Sequence, residues 1–175
     1  MHNNFLNKFY FIDSFRKNNI DKLDSKTGII YRNYKKKLSL PEIIKIRDYC
    51  SKKNIKFFLS NNFKIALKLK LSGVYLPSFN KNFRHLNYRI NTKFIVLGSA
   101  HNLKEIRTKE FQKIDIIFIS SIFKKNSNYL GIYKFKLLKN LSKKKVVALG
   151  GINKFNKKKI KLLNCYGFSG ISYFE

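Results

Sequence analysis

Cysteine and proline are nearly missing from this chain, and each shortage rules something out. The two cysteines, Cys50 and Cys165, are too few for a disulfide framework, and neither stands in a CxxC pair or a Cys/His cluster with metal-ligand spacing. They read as ordinary reduced thiols of the core or of a helix. The two prolines, Pro41 and Pro77, together with the absence of any Pro-, Gly- or Ser-rich stretch, leave no linker at which to divide the sequence. One domain over 1–175 is therefore expected, long enough to bury a core. Uncharged apolar runs of about 18 residues are also missing, and the Met1–Lys8 start carries no apolar signal region behind a basic one. A soluble, cytoplasmic protein without membrane contact is expected. Walker A, GxGxxG, HExxH and zinc-cluster patterns are absent as well, and no Ser or Cys triad is visible.

Acidic residues are scarce too, nine against 38 Lys plus Arg, for a formal charge of +29. A charge of this size attracts phosphate and raises a nucleic-acid reading. The type of cation argues against it: 32 of the 38 are Lys and only 6 are Arg, whereas bidentate phosphate and base-edge recognition favours the guanidinium fork. The bases are spread along the whole chain, and 20 Asn, 17 Phe and 10 Tyr beside only 3 Ala point to an AT-rich coding sequence. We read the charge as a lysine-rich solvated surface that binds anions non-specifically at low salt, with no specific nucleic-acid partner. No residue pattern specifies an oligomeric state.

Short β-branched or aromatic runs alternate with polar segments. Eight candidate strands are Phe9–Ser14, Gly28–Tyr34, Lys56–Ser60, Gly73–Pro77, Lys93–Ser99, Asp115–Ser121, Lys145–Gly151 and Gly167–Phe174. The clearest helix is Leu40–Lys52, where Ser39 can cap, Pro41 stands in the first turn, and Ile43, Ile44 and Ile46 supply apolar positions. Lys104–Phe111, Ile132–Leu141 and Asn156–Leu163 are further candidates, and Asn80–Asn91 is expected to be poorly ordered. Strands alternating with helices pair in parallel through right-handed crossovers, and eight such units close into a small (β/α)8 TIM barrel of the α/β class. The continuous apolar character of FIVLG, DIIFIS and KVVALGG suits strands buried on both faces.

Barrel chemistry gathers at the C-terminal ends of the strands, and there a series of fragments resembles one family. IIYRNYK (Ile29–Lys35) is similar to Q-x-R-x-K, FFLSNNFKIAL (Phe57–Leu67) to I-I-N-D-x-x-x-x-A, and SGVYLPSFN (Ser72–Asn80) to A-D-G-V-H-L-G-Q-x-D. LGSAHNLKE (Leu97–Glu105) resembles G-x-S-A-H-x-x-E-E, and DIIFISSIFKKNS (Asp115–Ser127) resembles D-Y-I-x-x-G-P-I-F-x-T-x-S. VVALGGI (Val146–Ile152) with GFSGIS (Gly167–Ser172) resembles a closing phosphate site. Taken in this order, the six resemble the thiamine phosphate synthase/TenI family.

That resemblance implies a transferase that joins hydroxymethylpyrimidine diphosphate to thiazole phosphate, with Mg2+ and basic residues assisting the departure of pyrophosphate. It places Arg32 and Ser99 on the pyrophosphate, Gly150 and Gly151 at the thiazole phosphate, and Ser60 where the family has a substrate-binding Asn. His101 matches the proton-transfer histidine of TenI-type tautomerases. The family's two metal aspartates fall on Asn61 and Asn80, neutral amides without the charge that holds a hard cation. Further departures are Ile30, Tyr34, Tyr75, Ser120, Ser121, Lys125 and Asn128. Three functions follow as expectations: a divergent synthase, a TenI-like thiazole tautomerase using His101, or a non-catalytic barrel that binds a phosphorylated ligand or polyanion. The expected partners are small phosphorylated substrates.

Overall fold

The computed structural model describes residues 7–175; the reading of the Met1–Lys8 start falls almost wholly outside them. The chain runs β1 (Lys8–Ile12), α1 (Lys17–Asp21), β2 (Thr27–Tyr31), α2 (Leu40–Lys52), β3 (Phe57–Ser60), α3 (Phe63–Lys68) and β4 (Gly73–Leu76). It continues with β5 (Ile95–Ala100), α4 (Leu103–Phe111), β6 (Ile116–Ile119), α5 (Gly131–Leu141), β7 (Lys145–Leu149), β8 (Gly167–Ser169) and α6 (Ile171–Phe174). The strands pair in parallel in chain order, and β8 returns to β1, closing a (β/α)8 barrel.

Every expected strand forms, and the differences lie at the ends. β2 stops at Tyr31, and β7 stops at Leu149 because Gly150 and Gly151 turn the backbone to positive φ (+104° and +75°). The last strand ends at Ser169, and Ile171–Phe174 winds into a single helical turn. α2 has the expected bounds: the Ser39 hydroxyl accepts from the Glu42 N–H, and Ile43, Ile46 and Cys50 form its buried face. Asn156–Leu163 departs from expectation, forming only a 3-10 segment over Lys157–Leu163. The residue that would cap a helix there is engaged elsewhere, since Asn156 Nδ2 donates to the Gly151 carbonyl (2.7 Å) and its Oδ1 accepts from the Asn153 N–H (2.9 Å). Asn80–Asn91 is ordered, contrary to expectation. A 3-10 turn at Arg84–Asn87 buries His85, whose ring stacks on Phe63 at 4.6 Å and whose Nε2 donates to the Gln112 carbonyl at 2.8 Å.

An eight-stranded barrel must fill its lumen with side chains. Here the filling is aromatic. Phe9 meets Phe118 at 4.8 Å, Phe11 meets Tyr75 at 5.2 Å, and Tyr75 meets Phe118 at 5.6 Å, edge to face in each case. These rings come from β1, β4 and β6, which are not neighbours in the sheet, so the contacts cross the barrel. Ile30, Phe58, Leu97, Ile116 and Val147 complete this inner cluster. The alternate residues, such as Tyr10, Ile29, Leu59, Val74 and Ile117, pack outward under the helices. Cys50 is buried on α2, Cys165 is half-buried, and both are free thiols.

Truncating a lumen ring leaves a cavity that closed strands cannot collapse around. Phe118→Ala is expected to cost about 3–5 kcal/mol, whereas Phe155→Ala, at a position 96% exposed, should stay within about 0.5 kcal/mol. Urea unfolding of the two variants measures the difference.

Candidate functional site

At the C-terminal mouth, the aromatic filling carries the first functional group. The Arg32 N–H donates to the Ile12 carbonyl (2.8 Å), which anchors the residue just beyond β2. Its guanidinium then lies 4.5 Å from the Phe11 ring centroid, a cation–π contact that holds the fork over the top of the lumen. Beneath it is the Tyr75 phenol, wholly buried, with its pKa pushed up to about 12 by burial; a hydrogen bond with Ser99 and the Arg32 charge act the other way. Arg32 and Ser99 are thus brought together around Tyr75. Ser60 lies beside them, its Oγ 2.7 Å from the Tyr34 hydroxyl, and the Tyr34 ring packs edge-on against Phe79 at 5.5 Å.

The two amides at the family's aspartate positions face each other. Asn61 adopts a left-handed backbone (φ +59°) immediately after β3. Asn80 is fixed by an Asx turn, its Oδ1 accepting from the Asn82 N–H at 2.8 Å and from Gln112 Nε2 at 3.3 Å. That orientation presents Asn80 Nδ2 to Asn61 Oδ1, 2.5 Å away. Behind the pair is Lys109 of α4, 0% exposed, whose stem crosses Gly98, where an added Cβ would stand only 3.1 Å from the lysine Cδ. Its ammonium donates to the Asn80 carbonyl (2.6 Å) and to Gln112 Oε1 (2.9 Å). This arrangement does not fit a divalent cation. The facing oxygen of Asn61 is engaged by an N–H, a fixed ammonium holds the neighbouring carbonyl, and no group of three His, Cys, Asp or Glu occurs among the described residues.

The remaining expected residues sit apart. His101 leaves β5 and places Nδ1 3.0 Å from Glu105 Oε2, while the same carboxylate accepts from the His101 N–H at 2.7 Å. Glu105 in turn shares a reciprocal cap with Asn102, whose Oδ1 accepts from the Glu105 N–H at 2.9 Å. The histidine is therefore tied to the start of α4. Gly150 and Gly151 follow β7, and their missing Cβ atoms make room for protein: a Cβ on Gly150 would lie 2.5 Å from Ser121 Oγ, and one on Gly151 2.6 Å from the Lys124 nitrogen. The pair is packed against the loop after β6, so close backbone approach requires glycine with or without a ligand.

The residues that the sequence left unassigned are Lys109, Gln112, Tyr34 and Tyr75. A signal for the first two exists: Ile106, Lys109 and Gln112 recur at three-residue spacing, which puts a lysine on the apolar face of α4.

With this geometry in view, the comparisons with known proteins decide the family. The model described as thiamine monophosphate synthase matches residues 23–174. The chain belongs to the thiamine monophosphate synthase family. It is 30% identical over 132 residues to the thiamine-phosphate synthase of Methanococcus vannielii, covering 73% of this chain and 62% of that protein. It is 31% identical over 137 residues to the thiamine-phosphate synthase of Prochlorococcus marinus, covering 76% and 38% respectively. The match therefore spans less than two thirds of either relative. Among solved structures, thiamine phosphate pyrophosphorylase from Pyrococcus furiosus superposes with a TM-score of 0.79 at 22% identity, covering 95% of this chain and 86% of that one, which speaks to the fold. Among the described residues, no helix is long and apolar enough to cross a membrane.

The buried lysine sets a pH dependence. Burial pushes the Lys109 pKa down from 10.5 to about 8, with the Glu105 charge opposing the shift. Because its folded pKa is lowered, the charged form is penalised in the fold. The penalty is complete below about pH 8 and is relieved as pH rises from there towards the unfolded value, where the unfolded chain binds more protons. Relative to Lys109→Met, the wild-type protein should gain about 2–3 kcal/mol of unfolding free energy between pH 7 and pH 10. Parallel denaturant titrations at the two pH values measure this difference.

Proposed function

We propose that this chain acts in thiamine biosynthesis as a thiamine phosphate synthase, joining hydroxymethylpyrimidine diphosphate to thiazole phosphate. The observation that supports it is the gathering of Arg32, Ser60 and Ser99 around Tyr34 and Tyr75 at the barrel mouth. In the reaction, the bond between the pyrimidine methylene carbon and the diphosphate oxygen breaks, and pyrophosphate leaves with both electrons. The thiazole nitrogen then gives its lone pair to that carbon. The charge that grows on the leaving oxygens is the main barrier, and preorganised donors lower it. Arg32 is the residue to meet it. Its guanidinium is held over Phe11 before any ligand arrives, and a fork grips two phosphate oxygens at once. The Ser60 hydroxyl, bonded to Tyr34, and the Ser99 hydroxyl beside Tyr75 supply further donors, and the aromatic lining keeps water from the pyrimidine cation. The turn at Gly150 and Gly151 would hold the thiazole phosphate through backbone N–H groups.

A second reading draws on the His101–Glu105 pair. A histidine oriented through Nδ1 by a carboxylate can carry a proton at its other nitrogen, so a TenI-like tautomerisation of a thiazole phosphate, which needs no metal, is compatible with it.

Purified protein given both substrates, with and without Mg2+, should form thiamine phosphate, and Arg32→Gln should lower kcat/KM by about 100-fold or more. Absence of product in both conditions overturns the synthase reading. Isomerisation of a thiazole phosphate that His101→Ala abolishes and Arg32→Gln spares would replace it with the tautomerase.

A further inference from the structure

The Asn61–Asn80 pair opens on a cavity of about 430 Å3 between the loops after β3 and β4, with Lys64, Arg84 and His85 also in its wall. Three observations define what this cavity can bind. Its polar lining presents donors: Asn80 is fixed by the Asn82 N–H and Gln112, so its amide nitrogen faces inward on Asn61, and the Asn61 nitrogen remains a donor. Its charges are of one sign, for Lys64 and Arg84 contribute cations while no carboxylate stands among the lining residues. Finally, the Lys109 ammonium is fixed at the Asn80 carbonyl and adds a buried positive charge behind the amide pair. His85 is committed to the Gln112 carbonyl and takes no part. Donors together with cations make an anion site, the opposite of what a hard cation requires.

We propose that Asn61, Asn80, Lys64 and Arg84 form a metal-free subsite that takes the diphosphate group of a small phosphorylated ligand directly, as the anion and not as its Mg2+ complex. This deepens the synthase reading and rests on it for the identity of the ligand, but it is tested apart from activity.

The experiment is calorimetry with inorganic pyrophosphate at about 150 mM salt, where exposed charges more than a Debye length apart are largely screened. Wild-type protein should bind in EDTA, and added Mg2+ should leave the affinity unchanged or weaken it. Lys64→Gln/Arg84→Gln should bind about tenfold more weakly, the scale of a lost charge-assisted contact. Lys70→Gln/Lys93→Gln removes the same charge from the opposite end of the barrel, before β4 and β5, and should stay within about twofold. All four residues are exposed, so the fold is not at stake, and a thermal melt checks it. Asn61→Asp/Asn80→Asp should lose metal-free binding and recover it with Mg2+. A wild-type requirement for Mg2+, or equal losses in Lys64→Gln/Arg84→Gln and Lys70→Gln/Lys93→Gln, overturns the subsite. Product formed together with Mg2+-dependent binding would refute the subsite and keep the synthase; metal-free binding without product would do the reverse.

Discussion

Filling the lumen is the constraint on which the rest of this structure depends. A closed barrel of eight strands has no edge to leave open and an interior that only side chains can occupy. This chain occupies it with Phe9, Phe11, Phe58, Tyr75 and Phe118. Large rings in edge-to-face contact reach almost to the C-terminal mouth, and this fixes what can happen there. Arg32 has an aromatic face to rest on, which limits the conformations of a long side chain before any ligand arrives. The Tyr75 phenol is drawn into the lumen, where Ser99 and the Arg32 charge oppose the rise that burial imposes on its pKa. Core packing and site geometry are therefore not separable at these positions: a ring that fills the barrel also places the guanidinium and a hydroxyl.

The rim follows a different logic, that of charge. A carboxylate pair would draw in a hard cation, whereas two amides satisfy each other and offer N–H groups outward. A buried ammonium next to them is costly without carbonyl partners, and it has two, from Asn80 and Gln112. The same contacts tie α4 to the loop after β4, so the position of Asn80 depends on a residue 29 places away in sequence. The Asn80–Asn91 segment is ordered for related reasons. Gln112 Nε2 donates to the Asn82 carbonyl at 2.9 Å, while its own carbonyl accepts from His85.

How far all this was legible in the sequence depends on the range of the interaction. Strands and their order were readable because each is a local run of β-branched and aromatic residues, and α2 because Ser39, Pro41 and the isoleucine spacing act within a few residues. The motif positions Arg32, Ser60 and Ser99 were readable because each stands just past or at the end of a strand. Tyr34 and Tyr75 registered only as departures, since their role lies in pairing with Ser60 and Ser99 across the mouth, and no local pattern encodes that pairing. Lys109 was hidden among 38 basic residues, most of them solvated. The Asn80–Asn91 segment looked like loose loop because its polar composition conceals one buried histidine, and the Asn156 segment looked like helix because its candidate cap was committed elsewhere.

The composition of this chain makes it tempting to assign every departure from the family pattern to codon drift, with Asn and Lys accumulating wherever a site is released from use. That account works for Lys on a solvated surface, where a cation costs little. It fails at Lys109. A wholly buried ammonium is penalised by desolvation whatever the codon bias, and it persists only where the surroundings supply hydrogen bonds in the right places. Here the partners include the very residue that stands where the family has a metal aspartate. The amide at position 80 and the ammonium are thus one arrangement: Asn80 gives the lysine a carbonyl partner, and with a small residue at position 109 that carbonyl would lose its cation. The rim of this barrel is built around fixed positive charge, and a ligand that enters it as an anion meets donors already in place.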